Sequence, residues 1–425
     1  MCPSFSSAIA LTKTGRKSKG ARVLTIEAGE HRPMAGNATG VRTDMAKAPD
    51  DPGELIHVGK PNIGDRQRFL DRLSDALDRQ LLSNGPLVRE FEERVASLAG
   101  VDHCVAVCNA TTGLQVVAKA YGIGPRDEVI MPAFTWVATP HAMEWIGAVP
   151  VFCDIDPRTA TIDPEHVRRL VTPRTRGIVG VHVYGVPCDT DALDTLSRDT
   201  GLPVFYDAAH AFGNTHLGRP IGGFGEAEVF SFHATKFLNS FEGGAVVTND
   251  ADLAERLRAT VNFGLAPDRQ VLWSGTNAKM TEVCAAMGLT SLEAMPELIS
   301  VNRRNDAAYR RALAGIPGVR VRPQAPGEGN HQYVVVEIDP GTTGIHRDDV
   351  NRSMHARGIL TRPYFSPGCH QFAPYRATSA HAPLPNTEAL AERVLSLPNG
   401  TSVGLCEVTR VANVLRHAVD APLTA

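Results

Sequence analysis

Phe69, Leu70, Leu73, Leu77 and Leu81 recur at helical spacing until Ser83-Asn84-Gly85 interrupts them, which predicts an amphipathic helix beginning soon after Glu54. Leu87, Phe91, Val95 and Leu98 continue the rhythm in a second helix that stops at Gly100. From Val101 the period changes. Short apolar runs at Cys104 to Cys108, Glu128 to Met131, Val149 to Cys153, Gly177 to Val183, Pro203 to Tyr206 and Gly244 to Val247 alternate with helical stretches such as Thr111 to Tyr121 and Asp189 to Thr200. That alternation predicts βα units on a mostly parallel sheet. A long helical stretch from Thr281 to about Leu313 follows. Strands near Val319 and over Tyr333 to Ile338 come next, with helices at Arg347 to Arg357, Thr387 to Leu395 and Glu407 to His417. The fold class is therefore α/β, a mixed and mostly parallel sheet flanked by helices, with a smaller C-terminal α+β domain. Residues 55–313 are expected to form the large domain and 314–425 the small one.

Residues 1–54 lack this periodicity. They hold five basic residues and no acid before Glu27, and predict a disordered tail, a transit-peptide-like leader or sequence upstream of a later start at Met34 or Met45. The whole chain has 43 Lys+Arg against 46 Asp+Glu, a formal charge of −3, which argues against a surface made to neutralise nucleic-acid phosphates. No apolar run is long enough for a spanning helix, and Ala8 to Leu11 is too short for a secretory core. The eight cysteines are scattered, with one C-x3-C and no metal-type spacing. Reduced thiols in the cytoplasm are the expectation, without metal, membrane or nucleic-acid partners.

Of the 43 basic residues only eight are Lys. Lys236 stands alone between Lys119 and Lys279, within Ser231-Phe232-His233-Ala234-Thr235-Lys236 and just before Glu242-Gly243-Gly244. Some thirty residues earlier the apolar strand Val204-Phe205-Tyr206 ends in Asp207, followed by Ala208-Ala209-His210. A strand-end carboxylate lies where open α/β sheets bind ligands. An amine beside it fits two readings, a buried ion pair or a site for pyridoxal 5'-phosphate (PLP), in which the amine forms a Schiff base and the carboxylate keeps the pyridine nitrogen protonated. A phosphate needs a helix N-terminus, and Asn109-Ala110-Thr111-Thr112-Gly113 lies between a strand and a helix. Ser231 offers a further hydroxyl. Trp136, after the next strand in Pro132-Ala133-Phe134-Thr135-Trp136, offers an aromatic face at the same rim.

With Gly275-Thr276-Asn277, these motifs together resemble the DegT/StrS family of nucleotide-sugar aminotransferases, PLP enzymes of fold-type I, from about Ile56 into the C-terminal region. The resemblance implies that Lys236 carries PLP and Asp207 faces the pyridine nitrogen. Trp136 would stack on the ring, His210 would lie near its hydroxyl, and Ala110, Thr111 and Ser231 would hold the phosphate. Asn277 would reach the phosphate of a neighbouring subunit, which makes the enzyme a homodimer with shared sites. The chain departs from the family's usual Ser-Gly-Thr at Asn109-Ala110-Thr111, and has Ala278-Lys279 where an aromatic and an Arg often follow the Asn. The family's dehydratase branch replaces the lysine by His; Lys236 favours transamination.

The implied reaction takes an amino group from glutamate, leaves pyridoxamine phosphate, and delivers the amine to a keto sugar. His57-Val58-Gly59-Lys60-Pro61-Asn62 and Arg362-Pro363-Tyr364-Phe365-Ser366-Pro367-Gly368-Cys369-His370 are similar to the branch that converts dTDP-4-keto-6-deoxyglucose to dTDP-4-amino-4,6-dideoxyglucose. Lys279, Arg362, Tyr364 and His370 are the candidate substrate contacts. A 3-keto sugar or cyclitol acceptor and a PLP-binding regulator without turnover are the competing readings. A nicotinamide oxidoreductase lacks support, because the first βα junction has no G-x-G-x-x-G.

Overall fold

The computed structural model describes residues 55–266, 268–324, 327–376 and 383–420, so the expected tail at 1–54 lies outside the described residues. Seven strands form the central sheet: β1 (His103–Val107), β2 (Glu128–Pro132), β3 (Val149–Cys153), β4 (Thr175–Val181), β5 (Val204–Asp207), β6 (Ala227–Ser231) and β7 (Gly244–Thr248). Their order is β1-β7-β6-β5-β4-β2-β3, with only β7 antiparallel to its neighbours. Successive side chains enter opposite cores. Ile178, Tyr206, Phe230 and Val247 pack on one face, while Val179, Phe205, Val229 and Val246 pack on the other. Both faces are dry, which is why the strands read as continuous apolar runs.

Helices α1 (Arg66–Arg79), α2 (Pro86–Ala99), α3 (Ala110–Ala120) and α4 (Ala138–Trp145) follow the predicted order. Asp65 caps α1 by accepting from the Gln67 and Arg68 N–H groups, and Gly100 ends α2 at φ 65°, a backbone region open to glycine. Buried Glu282 accepts from the Gly85, Leu87 and Val88 N–H groups and so neutralises the start of α2. That carboxylate opens α5 (Glu282–Leu313), whose N-cap is Thr281.

Beyond α5, β8 (Val319–Val321), β9 (Val334–Ile338) and β10 (Val394–Leu397) make an antiparallel sheet in the order β8-β9-β10. Helices Arg347–Ala356 and α6 (Leu405–Asp420) complete its core through Val350, Met354, Val408, Val411 and Leu415. Two expectations need correction here. The helix expected over Thr387 to Leu395 ends at Ala391, and Val394–Leu397 is a strand, because its alternate apolar residues complete the small sheet. Ala227–Ser231 is a strand that the apolar pattern did not flag, since Glu228 interrupts the run. That buried carboxylate is satisfied by the Gly222 and Phe224 N–H groups. Among the described residues no helix is long and apolar enough to cross a membrane.

Register decides what meets at the rim of the large sheet. Gly244, the first residue of β7, stands opposite both Ser231 and Val107, the last residues of β6 and β1. Asp207 pairs with Val229 and Val181. The segments leaving β1, β2, β5 and β6 therefore emerge together. A short parallel pair, Ile56–His57 with Ile359–Leu360, brings Val58 to Asn62 to the same end.

Candidate active site

A cavity of about 770 Å³ opens at this rim. Its floor begins with α3. Asn109 caps the helix by accepting from the Thr112 N–H at 2.8 Å, and the next residues, Ala110 and Thr111, are first-turn residues whose amides have no helical carbonyl to receive them. A Cβ on residue 244 would sit 2.7 Å from the Ala110 nitrogen, and one on residue 113 would sit 2.8 Å from Val229 Cγ1. Only glycine at both places lets the helix start seat against the sheet. Ser231 joins this anion-favouring end of the wall.

Asp207 closes β5 and is 7% exposed. Its Oδ1 accepts from the Ala209 N–H at 3.1 Å and its Oδ2 from the Thr139 hydroxyl at 2.7 Å. Lys236 lies on the loop after β6, where its N–H bonds the His233 carbonyl at 2.9 Å. Burial lowers its ammonium to about 8, against the pull of the Asp207 carboxylate, which favours the charged form. The two side chains thus feel each other's charge, yet no ion pair within 4.0 Å joins them. Asp207 is satisfied by Thr139 and Ala209 instead, so a plain buried ion pair does not describe the site. An amine with a sizeable neutral fraction near pH 8, a carboxylate that only accepts, and a helix start suited to a dianion form a donor set that fits PLP in amine, ring nitrogen and phosphate.

His210 lines the cavity beside them. Its Nδ1 accepts from the Tyr184 N–H at 3.1 Å, so the proton of the neutral ring sits on Nε2. Burial, then the Lys236 charge, push its pKa well below the usual histidine value and keep it neutral. Its ring contacts Tyr333 at 4.4 Å and lies parallel to Phe365 at 5.8 Å. On the outer wall Trp136, 53% exposed, meets Tyr364 edge-on at 5.8 Å.

The cavity therefore collects Ala110, Thr111, Trp136, Asp207, His210, Ser231, Lys236 and Tyr364. It leaves out Asn277, Lys279, Arg362 and His370. Exposed Asn277 accepts from Lys279 Nζ at 2.7 Å, and that ammonium also lies 4.5 Å over the Phe263 ring. Arg362 pairs through its backbone with Ser396 and exposes its side chain, while buried His370 lies 3.2 Å from Glu388. His182, just past the end of β4, is a satisfied core residue: Nδ1 accepts from the Cys188 N–H and Nε2 faces Glu228 at 3.2 Å. Sequence reading missed Thr139, Tyr333 and Phe365 as site residues. The spacing of Thr135 and Thr139, one helical turn apart, was the available signal, but two uncharged hydroxyls do not advertise chemistry.

Comparison with known proteins agrees with this arrangement. Residues 64–416 match the model of the DegT/DnrJ/EryC1/StrS aminotransferase family. The crystal structure of DesI in the presence of its TDP-sugar product superposes with a TM-score of 0.83 at 58% identity, covering 87% of this chain and 94% of that one. DesV of S. venezuelae, solved in complex with a ketimine intermediate, gives a TM-score of 0.78 at 34% identity over 84% and 95% of the two chains. GDP-perosamine synthase of Caulobacter vibrioides is 35% identical over 364 residues, 85% of this chain and 97% of its own. With the family model spanning nearly all of the described chain and the amine, carboxylate and helix start converging on one cavity, the chain belongs to the DegT/DnrJ/EryC1/StrS family of PLP-dependent aminotransferases.

Proposed function

We propose that the protein moves an amino group from glutamate to C4 of dTDP-4-keto-6-deoxyglucose, giving dTDP-4-amino-4,6-dideoxyglucose. The observation that carries the reading is the placement of Lys236, half-buried and lowered to about 8, in the same cavity as Asp207 and the start of α3. The similarity to DesI, which was crystallised with a TDP-sugar, supports the nucleotide-sugar acceptor.

When bound, PLP supplies an electron sink for the carbon that loses its proton. Lys236 would hold the cofactor at rest and, once freed by the donor amine, its Nζ would be the base that takes the Cα proton and hands it on along the same face. Asp207 keeps a counter-charge at the ring nitrogen throughout, an electrostatic role that requires no movement. Ala110, Thr111 and Ser231 would hold the phosphate, Trp136 would cover one ring face, and neutral His210 would stand by the ring oxygen. Tyr364 offers a wall contact to the sugar, whereas Lys279, Arg362 and His370 lie off this cavity and enter the reading only through a second subunit or a closure of the small domain.

The reading includes a homodimer. Trp145 is 82% exposed, Val271 69% and Leu272 54%, apolar surface of a kind that association covers. Exposed Asn277 does not line its own cavity, which suits a residue serving a partner's phosphate. It also includes a cofactor-binding part at 55–313, a smaller part at 314–425 and a cytoplasmic setting, which suits the seven free thiols among the described residues.

The test is to incubate the purified protein with glutamate and dTDP-4-keto-6-deoxyglucose, then locate the new amine by NMR, alongside the 3-keto isomer. Amination at C4 is expected. Turnover of the 3-keto isomer alone, or of neither, overturns the assignment.

A further inference from the structure

We infer that Thr135 and Thr139 form a one-directional hydroxyl relay that positions Asp207. Three distances carry the inference. Thr139 Oγ1 lies 2.7 Å from Asp207 Oδ2, Thr135 Oγ1 lies 2.8 Å from Thr139 Oγ1, and Ala209 N lies 3.1 Å from Asp207 Oδ1. Thr139 is fully buried and Thr135 is 2% exposed, so water does not compete for these bonds.

Direction follows from proton counting. A hydroxyl carries one proton, and an ionised carboxylate accepts only. The Thr139 proton therefore goes to Asp207. Thr139 can then only accept from Thr135, so the Thr135 proton points at Thr139. Two O–H dipoles align head to tail towards Oδ2, and each polarises the next. The Ala209 N–H fixes the other oxygen, and both oxygens keep lone pairs for the ring nitrogen that the proposed function places opposite them.

Backbone geometry holds the relay rigid. Thr139 N–H bonds the Trp136 carbonyl at 3.1 Å as α4 begins. The Thr135 carbonyl accepts from Cys369 Sγ at 3.2 Å, and the Cys369 N–H bonds the Ala133 carbonyl at 2.7 Å. The segment after β2 is thereby clamped to the C-terminal region on one side and to Asp207 on the other. Thr135 and Thr139 are positioning residues, since the relay reaches a bound cofactor only through Asp207.

The inference rests on Asp207 facing the cofactor ring, and the experiment separates the two claims. Cofactor-free protein is titrated with PLP and followed by its visible absorption band, with thermal melts as a check on folding. The wild type is expected to bind and show the band; failure to do so sinks the proposed function and the relay together. Thr139→Val is expected to weaken PLP binding about ten-fold, the loss of one hydrogen bond to a charged group. The pH midpoint of the bound band should also move upward, because a poorly held Asp207 lets the ring nitrogen lose its positive charge, and the Lys236-linked nitrogen then keeps its proton to higher pH. Thr139→Ser, which retains the hydroxyl, should restore both. Thr135→Val should show a smaller effect that disappears in the Thr139→Val background. An unchanged midpoint and affinity in Thr139→Val, or fully additive effects of the two valines, overturn the relay. Should Thr139→Val not fold, Thr135→Val and Thr139→Ser carry the comparison: Thr139→Ser is expected to match wild type and Thr135→Val to fall short of it, and a Thr135→Val variant identical with wild type overturns the relay.

Discussion

At the floor of the cavity Asp207 is 7% exposed with a donor on each oxygen, whereas at the mouth Trp136 is 53% and Trp145 82% exposed. The floor is fixed by strand register: Asp207, Ser231 and Gly244 stay at the rim for as long as β5, β6 and β7 remain paired. The mouth comes from segments that leave the sheet, namely the strap at Val58 to Asn62, the start of α4 and the loop around Tyr364. Cofactor chemistry needs groups held to within a fraction of an ångström, which a hydrogen-bonded ladder provides. Substrate recognition tolerates surfaces that are completed on binding, and bare indoles suit a face finished by substrate or by a second copy.

The largest expected effect breaks the floor. Lys236→Ala should remove turnover by at least the ~10²–10⁴-fold that a positioned base contributes, and should abolish the covalently held cofactor seen after chemical reduction. Measurable turnover in that variant, with the contaminating wild type excluded, ends the assignment of Lys236. A second effect tests whether the mouth belongs to two chains. Asn277→Asp, which sets a negative charge where a partner's phosphate would lie, should lower activity at least ten-fold. Mixing it with Lys236→Ala should restore roughly a quarter of wild-type activity, because half of re-paired dimers are mixed and each mixed dimer has one intact site. No recovery on mixing, with dimer exchange verified, argues for sites complete within one chain.

The difference between floor and mouth also explains what was legible in the sequence. Lys236, Asp207 and the start of α3 could be read because their chemistry is rare and local. A lone lysine in an arginine-rich chain, an acid ending an apolar strand, and small residues between strand and helix each stand out in the string. The strands over Val149–Cys153 and Gly244 onward, and α5 with its Thr281 cap, were similarly plain, since both strand faces are apolar and the helix is long. Strand β6 was hidden by buried Glu228, whose satisfaction by backbone amides 222 and 224 is a tertiary fact. Strand β10 was absorbed into a preceding helix because four residues pairing with distant β9 give no period of their own. Thr139, Tyr333 and Phe365 reach the site from three separate segments, and nothing in their neighbours announces that convergence. Arg362 and His370 show the converse, residues in a suggestive motif that do not line this cavity.

A smaller effect sharpens the energetic side of the comparison. Lys236 is lowered from 10.5 to about 8 by burial, so the folded chain sheds its proton before the unfolded chain does. Between about pH 8 and pH 10.5 the unfolded state binds more protons, and stability of the cofactor-free protein should rise with pH across that window. Below pH 8 the burden is complete and amounts to no more than about 3 kcal/mol at 1.36 kcal/mol per pH step. Lys236→Met should therefore raise the melting temperature of the cofactor-free protein at pH 7 and flatten its rise between pH 8 and 10.5. Equal pH dependence in the two proteins contradicts the lowered amine. Nothing comparable is expected at the mouth, where exposed side chains have little solvation to lose.

The smallest effect concerns Trp136. Its ring touches Tyr364 edge-on at 5.8 Å and Phe365 at 6.4 Å, while about half of its surface remains open, so the protein itself holds it loosely. Removing it should therefore cost the fold little. Any penalty should appear on ligand binding, where a stacked aromatic pair contributes about 0.5–1.5 kcal/mol beyond area. Trp136→Leu is expected to weaken PLP binding about three- to ten-fold with the melting temperature of the cofactor-free protein unchanged, and Trp136→Phe should recover most of the loss. A leucine variant that melts several degrees lower but binds PLP as the wild type does would place Trp136 among the packing residues rather than at the cofactor face. The mouth would then be scaffold for its neighbours Tyr364 and Phe365, and the contrast with the floor would narrow to one of exposure alone.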